Sequence, residues 1–200
     1  MKKVGIMGGT FNPIHNAHLI LAQEAFDQFG LDKVLFMPTK NPPHKRNDDI
    51  ASDEHRINMI VEAIKDNKNF ELSTLEMDRE GITYTVETLR ILHQLEKDTQ
   101  YYFIIGGDSL MNITSWKEPD AIFAMSTIVA CARNGYRKEE IVDRLNELEM
   151  KYQTTILRLN IPIIEISSRF IREKCKLNQT IRYYVPETVF SYIKNHGLYL

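Results

Sequence analysis

The segment Gly8-Gly9-Thr10-Phe11-Asn12-Pro13-Ile14-His15-Asn16-Ala17-His18 sets two glycines, a threonine and two histidines between a short apolar run and a helical pattern. Glycines let a backbone approach an anion closely, and the first turn of a helix offers unpaired N–H groups with partial positive charge. His15 and His18 are three positions apart and share one face of that turn, where two imidazoles can donate hydrogen bonds to phosphate oxygens. Phosphate binding is the chemistry this segment fits best. Two readings compete with it. A His pair at this spacing can ligate a metal, although no third His or Cys lies nearby, and it can simply cap and pack a helix. The glycine spacing matches neither G-x-G-x-x-G nor the P-loop.

Four other places carry chemistry-bearing residues. In Ile166-Ser167-Ser168-Arg169-Phe170-Ile171-Arg172, the serines can cap a helix or bind phosphate, and Arg169 and Arg172 can face one anion. A plain N-cap with surface arginines is the competing reading. Pro42-Pro43-His44-Lys45-Arg46 is a stiff basic stretch that suits either a phosphate site or a solvated loop. Asp108, after Gly106-Gly107, can hold a ribose hydroxyl, hold metal-bound water or cap a helix. Trp116 can anchor a core or lid, or stack on a heterocycle.

The elements that must position these residues follow from periodicity. Val4–Met7, Val34–Met37, Phe70–Leu75, Tyr101–Ile105, Thr127–Ala132 and Ile161–Ile164 read as strands. Helical spacing runs from His15 to Phe29 with Gly30 as its stop, and through Ile57, Ile60, Val61 and Ile64 in a helix that Asp53 can cap. It recurs from Thr85 through Leu95 and from Arg137 to Met150, then after the Ser167 cap, and from Pro186 to about Gly197. Thr39 to Ser52 is a long loop, expected to close on a bound ligand. Continuous apolar strands alternating with helices predict a doubly wound parallel sheet in an α/β fold. The expected organisation is one domain over 1–200, with 167–200 as a small C-terminal helical subdomain. Ligands in such folds sit beyond the carboxyl ends of the strands, where the segments above fall.

Composition sets the limits. The chain has 200 residues, 43% apolar and 26% charged, which excludes disordered, collagen-like and disulfide-scaffold classes. A chain of this size buries about 70% of its unfolded surface, enough for a full core. Lys and Arg number 25 against 27 Asp and Glu, a net charge of -2. Such a chain has no global field for nucleic acid or an anionic membrane, so an anionic ligand must be held by a local site. The two cysteines, Cys131 and Cys175, are expected to be buried thiols of a reduced, cytoplasmic protein. The apolar stretch after Met1-Lys2-Lys3 is too short for a signal peptide, and no run approaches a transmembrane helix.

The ordered set GGTFNPIHNAH, PTKNPPHK, GITYTVETL, FIIGGDS, ISSRFIR and HGLYL resembles the bacterial nicotinate-nucleotide adenylyltransferases, over essentially the whole chain. These belong to the nucleotidylyltransferase α/β-phosphodiesterase superfamily. The resemblance implies a Rossmann-like nucleotidyltransferase fold acting in NAD biosynthesis. The reaction it implies joins ATP and nicotinate mononucleotide into nicotinate adenine dinucleotide with release of pyrophosphate. Mg²⁺ would be carried on the ATP phosphates, with no metal ligands from the protein. Matching residue by residue, it implies that His18, His15, Thr10 and Arg172 are catalytic. Gly8, Gly9 and Ser168 join them on the ATP phosphates, Gly106 and Asp108 hold the ribose, and Arg133 lies beside the adenine. Thr85 and Trp116 would hold the nicotinate, with His44 and Lys45 in a basic loop near the phosphates. Three positions depart from the family pattern: Asn12 for Asp, Ala17 for Gly and Arg169 for Thr. Other small adenylyltransferases of the superfamily, for phosphopantetheine or nicotinamide mononucleotide, are the nearest rivals. A non-catalytic nucleotide-binding module is the rival of a different class. Neither nucleic acid nor membrane is expected as a partner, and a homodimer is compatible with the chain.

Overall fold

A computed structural model of the chain describes residues 1–40, 50–131, 137–162 and 164–200. Six strands, β1 (Lys2–Gly9), β2 (Lys33–Pro38), β3 (Phe70–Leu72), β4 (Thr99–Gly106), β5 (Thr127–Cys131) and β6 (Leu157–Arg158), form one parallel sheet. Their order is β3-β2-β1-β4-β5-β6. Side chains alternate across the sheet because the strand period is two. Met7, Val34, Phe36, Tyr102, Ile104, Val129 and Cys131 enter one core. Val4, Ile6, Leu35, Met37, Tyr101, Phe103, Ile105 and Ile128 enter the other. Both faces are covered, which is why the strands read as unbroken apolar runs.

The first core is closed by α1 (Asn16–Phe29), α2 (Asp53–Ile64), α7 (Ser168–Lys176) and α8 (Glu187–Asn195). The second is closed by α3 (Thr85–Leu95), α4 (Gly107–Asn112), α5 (Pro119–Met125) and α6 (Lys138–Tyr152). This is the expected doubly wound arrangement. Cys131 and Cys175 are buried free thiols. Among the described residues no helix is long and apolar enough to cross a membrane.

The differences from expectation lie in the short elements. The sixth strand is Leu157–Arg158 rather than Ile161–Ile164. Leu157 pairs with Val129, and Leu159 N–H donates to Ala130 O at 2.9 Å, so β5 is already used. Pro162 brings no N–H to extend a ladder, and Ile163 lies outside the described residues. β3 stops at Leu72. Helices α4 and α5 are six and seven residues long, too short to show a period, and were not expected. The α2 cap is Ser52, whose hydroxyl accepts from His55 N–H, not Asp53. The buried face of α2 is Arg56, Met59, Ile60 and Ile64, with Val61 exposed.

Two positions in this frame make measurable demands. At Gly5, mid-β1, an added Cβ would lie 2.9 Å from Leu31 Cδ1 and 3.1 Å from Val34 Cγ2, both in the packed core. Gly5→Ala is expected to lower stability by about 1–3 kcal/mol, the usual cost of overpacking, measured by urea unfolding. Glu76 is buried at 8% exposure, and burial pushes its carboxyl above the usual 4.5. Hydrogen bonds from the Thr88 and Thr39 hydroxyls and the nearby Arg79 charge offset part of that rise. A carboxyl that binds its proton more tightly when folded contributes stability in full below the unfolded value of 4.5 and loses it as pH rises through the folded value. Glu76→Gln should therefore unfold at higher urea than the parent at about pH 8 and converge with it in acid. An equal difference at both pH values would count against this.

Candidate active site

β1 and β4 are sheet neighbours, yet α1 packs on one face and α4 on the other. The carboxyl ends of these two strands therefore flank the topological switch point, where an open α/β sheet has its crevice. Gly8-Gly9-Thr10 lies on one lip and Gly106-Gly107-Asp108 on the other. Gly8 is exposed, and a Cβ there would meet nothing nearer than the Phe103 ring at 3.6 Å. Chain packing does not require glycine at this position, so the bare backbone is left open toward the crevice.

The first turn of α1 begins at His15, which is 1% exposed, with the His18 ring stacked on it at 3.7 Å between centroids. His15 N–H donates to His18 Nδ1 at 3.2 Å. With Nδ1 as acceptor, the neutral His18 ring carries its proton on Nε2, and that N–H is a donor suited to a phosphate oxygen. The Phe11 ring meets His18 edge-on at 5.0 Å and fixes its plane. The capping reading of the pair is thus partly realised, through Nδ1 of His18. Among the described residues no group of three or more His, Cys, Asp or Glu side chains could hold a metal ion.

The loop between β1 and α1 is held by donors from distant parts of the chain. Arg172 Nη1 donates to Asn12 O at 2.9 Å, and Ser168 Oγ donates to Pro13 O at 2.8 Å. Asn12 Oδ1 accepts from Tyr199 OH at 2.8 Å and from Ala51 N–H at 3.0 Å. Asn16 N–H donates to Tyr184 O and its Nδ2 to Tyr183 O. Ser168 thus gives its only hydroxyl proton to the loop, and a contact of Ser168 with an anion falls to its backbone N–H in the first turn of α7. Ser167 is the α7 cap, accepting from Phe170 N–H at 3.2 Å. The Arg169 side chain is 82% exposed and pairs with Glu173, so it points to solvent. Ala17 is 1% exposed, and its methyl lies within the core.

On the opposite lip, Gly106 is the α4 N-cap residue and Asp108 is exposed in the first turn of α4. Trp116 packs edge-on against Phe103, with centroids 6.1 Å apart. Lys117, next in sequence, donates to Glu87 Oε1 at 2.6 Å and lies 4.5 Å above the Tyr84 ring. That ties Trp116 to the start of α3, where Thr85 is the first helical residue. Arg79 also pairs with Glu87. The structure thus brings together Thr10, His15, His18, Ser168 and Arg172 around one loop, and Thr85 and Trp116 at a second place. Phe103 lies between Gly8 and Trp116 and links the two. His44, Lys45 and Arg133 lie outside the described residues, as does most of the loop expected to close.

Sequence reasoning missed Arg56 and Tyr199. Arg56 is 0% exposed; its Nη1 donates to Thr10 O at 2.9 Å and Thr39 O at 2.8 Å. Its position three and four residues before Met59 and Ile60 places it on the apolar face of α2, which was the available signal. Tyr199 lies in the closing HGLYL, whose resemblance was visible but whose partner, Asn12, was not.

Residues 6–174 match the model of the cytidylyltransferase-like family. A protein of Lachnoclostridium phytofermentans named "Probable nicotinate-nucleotide adenylyltransferase" is 46% identical over 200 residues, covering 100% of both chains. One of the same name from Clostridium acetobutylicum is 42% identical over the same span, again covering 100% of both. The Plasmodium falciparum nicotinic acid mononucleotide adenylyltransferase complexed with NaAD has the same fold. Its TM-score is 0.82 at 22% identity, over 100% of this chain and 98% of that one. The chain belongs to the nicotinate-nucleotide adenylyltransferase family, within the cytidylyltransferase-like group.

Proposed function

We propose that this protein transfers the adenylyl group of ATP to nicotinate mononucleotide, forming nicotinate adenine dinucleotide and pyrophosphate. Full-length relatives carrying that name support the reaction. The observation that carries its chemistry is the His18 ring, held by the His15 N–H so that Nε2–H is the donor beside the α1 N-terminus. An oxygen of the mononucleotide 5′-phosphate attacks the α-phosphorus in line. The bond from that phosphorus to the bridging oxygen breaks, and pyrophosphate leaves with the electron pair. The nucleophile is already anionic near neutral pH, so no general base is needed. Catalysis reduces to positioning two polyanions and stabilising the charge on the transferred group.

In this reading His18, His15 and Thr10 act on the α-phosphate side, with the bare backbone of Gly8 and Gly9 allowing close approach. Arg172 keeps its loop contact and turns its remaining N–H groups to the β- and γ-phosphates, beside the first turn of α7. Gly106 and Asp108 hold the ribose, Arg133 the adenine, and His44 and Lys45 the phosphates from the loop. Mg²⁺ enters as part of the MgATP substrate. Trp116 stacks on the pyridine ring. The nicotinate carboxylate takes N–H groups at the start of α3, where Glu87 and Thr88 N–H already return to Tyr84 O and the donors before them are left for a ligand. An amide in place of the carboxylate would set its N–H₂ against those donors. The buried thiols fit a reducing cytoplasm.

The direct test is pyrophosphate release from ATP, Mg²⁺ and nicotinate mononucleotide, with nicotinamide mononucleotide as control. The acid should be the strongly preferred substrate, and equal kcat/KM for the two would remove the carboxylate assignment. His18→Ala should lower kcat by about 10²–10³-fold, the usual cost of losing one aimed donor, with the fold intact by thermal unfolding. An unchanged kcat in that variant would overturn the mechanism.

A further inference from the structure

Among the described residues no other Arg or Lys is buried as Arg56 is, and the reaction above gives it no task. It stands in the first turn of α2, and its guanidinium reaches between the ends of β1 and β2. Nη1 is shared by the carbonyls of Thr10 and Thr39, and Nη2 meets the Asp53 carboxylate and lies 3.9 Å from Met77 Sδ. A side chain whose only duty was to fill the core would not be a cation bridging two backbone carbonyls at strand ends, since an apolar group does that without desolvation cost.

The peptide geometry shows what the grip achieves. The Thr10 carbonyl and the Phe11 N–H belong to one trans peptide, so they point in opposite directions. β1 has β2 on one side and β4 on the other. Arg56 draws the Thr10 carbonyl toward Thr39 at the end of β2, so the Phe11 N–H of the same peptide points away from Arg56. The next backbone rotation is also unusual: Phe11 has φ 49°, a left-handed conformation that a bulky residue adopts only when its surroundings impose it. Its ring is 2% exposed and packs against His18 and Phe36. Arg56 on one side and the buried ring on the other thus fix the loop at the point where it turns into the α1 start.

We propose that Arg56 is a positioning residue for adenylyl transfer. It locks the Thr10–Phe11 peptide so that the Phe11 N–H joins His18 in donating to the transferred phosphoryl group. The proposal rests on the adenylyl-transfer reading and adds to it a residue that touches neither substrate.

The test compares full-length wild type, Arg56→Lys and Arg56→Ala for pyrophosphate release, substrate KM and thermal unfolding. Lysine keeps the charge but cannot serve both carbonyls and Asp53 in one plane. Arg56→Lys is expected to fold and lose on the order of 10²-fold in kcat, since a displacement of about 1 Å costs that much. Its KM for nicotinate mononucleotide should stay within about two-fold, because that site is built elsewhere. Arg56→Ala should regain activity when guanidinium ion is added at low millimolar level, and not with equal urea. Wild-type kcat in a folded Arg56→Lys overturns the proposal, as does a loss that only tracks the unfolded fraction. Variants that unfold and are not recovered by guanidinium assign Arg56 to folding alone and overturn it too. A wild-type protein inactive with these substrates would remove the adenylyl-transfer reading itself, an outcome distinct from all of these.

Discussion

The arrangement depends on one constraint: the loop from Thr10 to His15 is buried, and its polar backbone cannot satisfy itself. Thr10, Asn12, Ile14 and His15 range from 0 to 9% exposed. The carbonyls of Thr10, Asn12 and Pro13 lie past the β1 ladder and before the first hydrogen bond of α1, which His15 O accepts, so each of the three takes an outside donor. Arg56, Arg172 and Ser168 are those donors for Thr10, Asn12 and Pro13. Two segments far apart in sequence therefore meet because the loop at one requires the donors of the other.

The same constraint bears on charge. A chain with net charge -2 cannot draw a polyanion by its overall field. Much of its surface charge is paired locally, as in Lys65 with Glu62, Arg90 with Glu118 and Arg144 with Glu147. Such pairs contribute little stability, but they keep the far field weak. Beside the crevice the balance differs: Arg56 is paired with Asp53, but the Arg172 guanidinium and the starts of α1 and α7 all lie near one loop. Even Glu87, in the first turn of α3, is held between Arg79 and Lys117. The positive potential is thus a property of one loop and its supports.

Most of the architecture was legible because parallel strands buried on two faces cannot be other than apolar. Val34–Met37 and Tyr101–Ile105 could be read directly, and the order of strands and helices implied the doubly wound sheet. The signature segments were legible for a different reason, since glycine and histidine at a helix start have few other uses. What stayed hidden depends on partners distant in the chain. Arg56 reads as an ordinary helix charge until Thr10 and Thr39 supply their carbonyls. Ser168 reads as a cap or a ligand donor, and only the position of Pro13 shows where its proton goes. The last strand was misplaced because Ile161-Pro162 looks more strand-like than Leu157-Arg158, and only the register on β5 decides between them.

The separations within this clamp say something about when the site comes into being. The contacts to Asn12 and Pro13 join residues 155, 160 and 187 positions apart. Contacts of that span cost chain entropy to close and cannot form from local structure alone. The strands and first helices can therefore assemble into a recognisable sheet while the loop still lacks its clamps. Its final shape is set only when α7 and the segment around Tyr199 dock. A molecule in which those two segments were undocked would keep its sheet but hold an unset crevice.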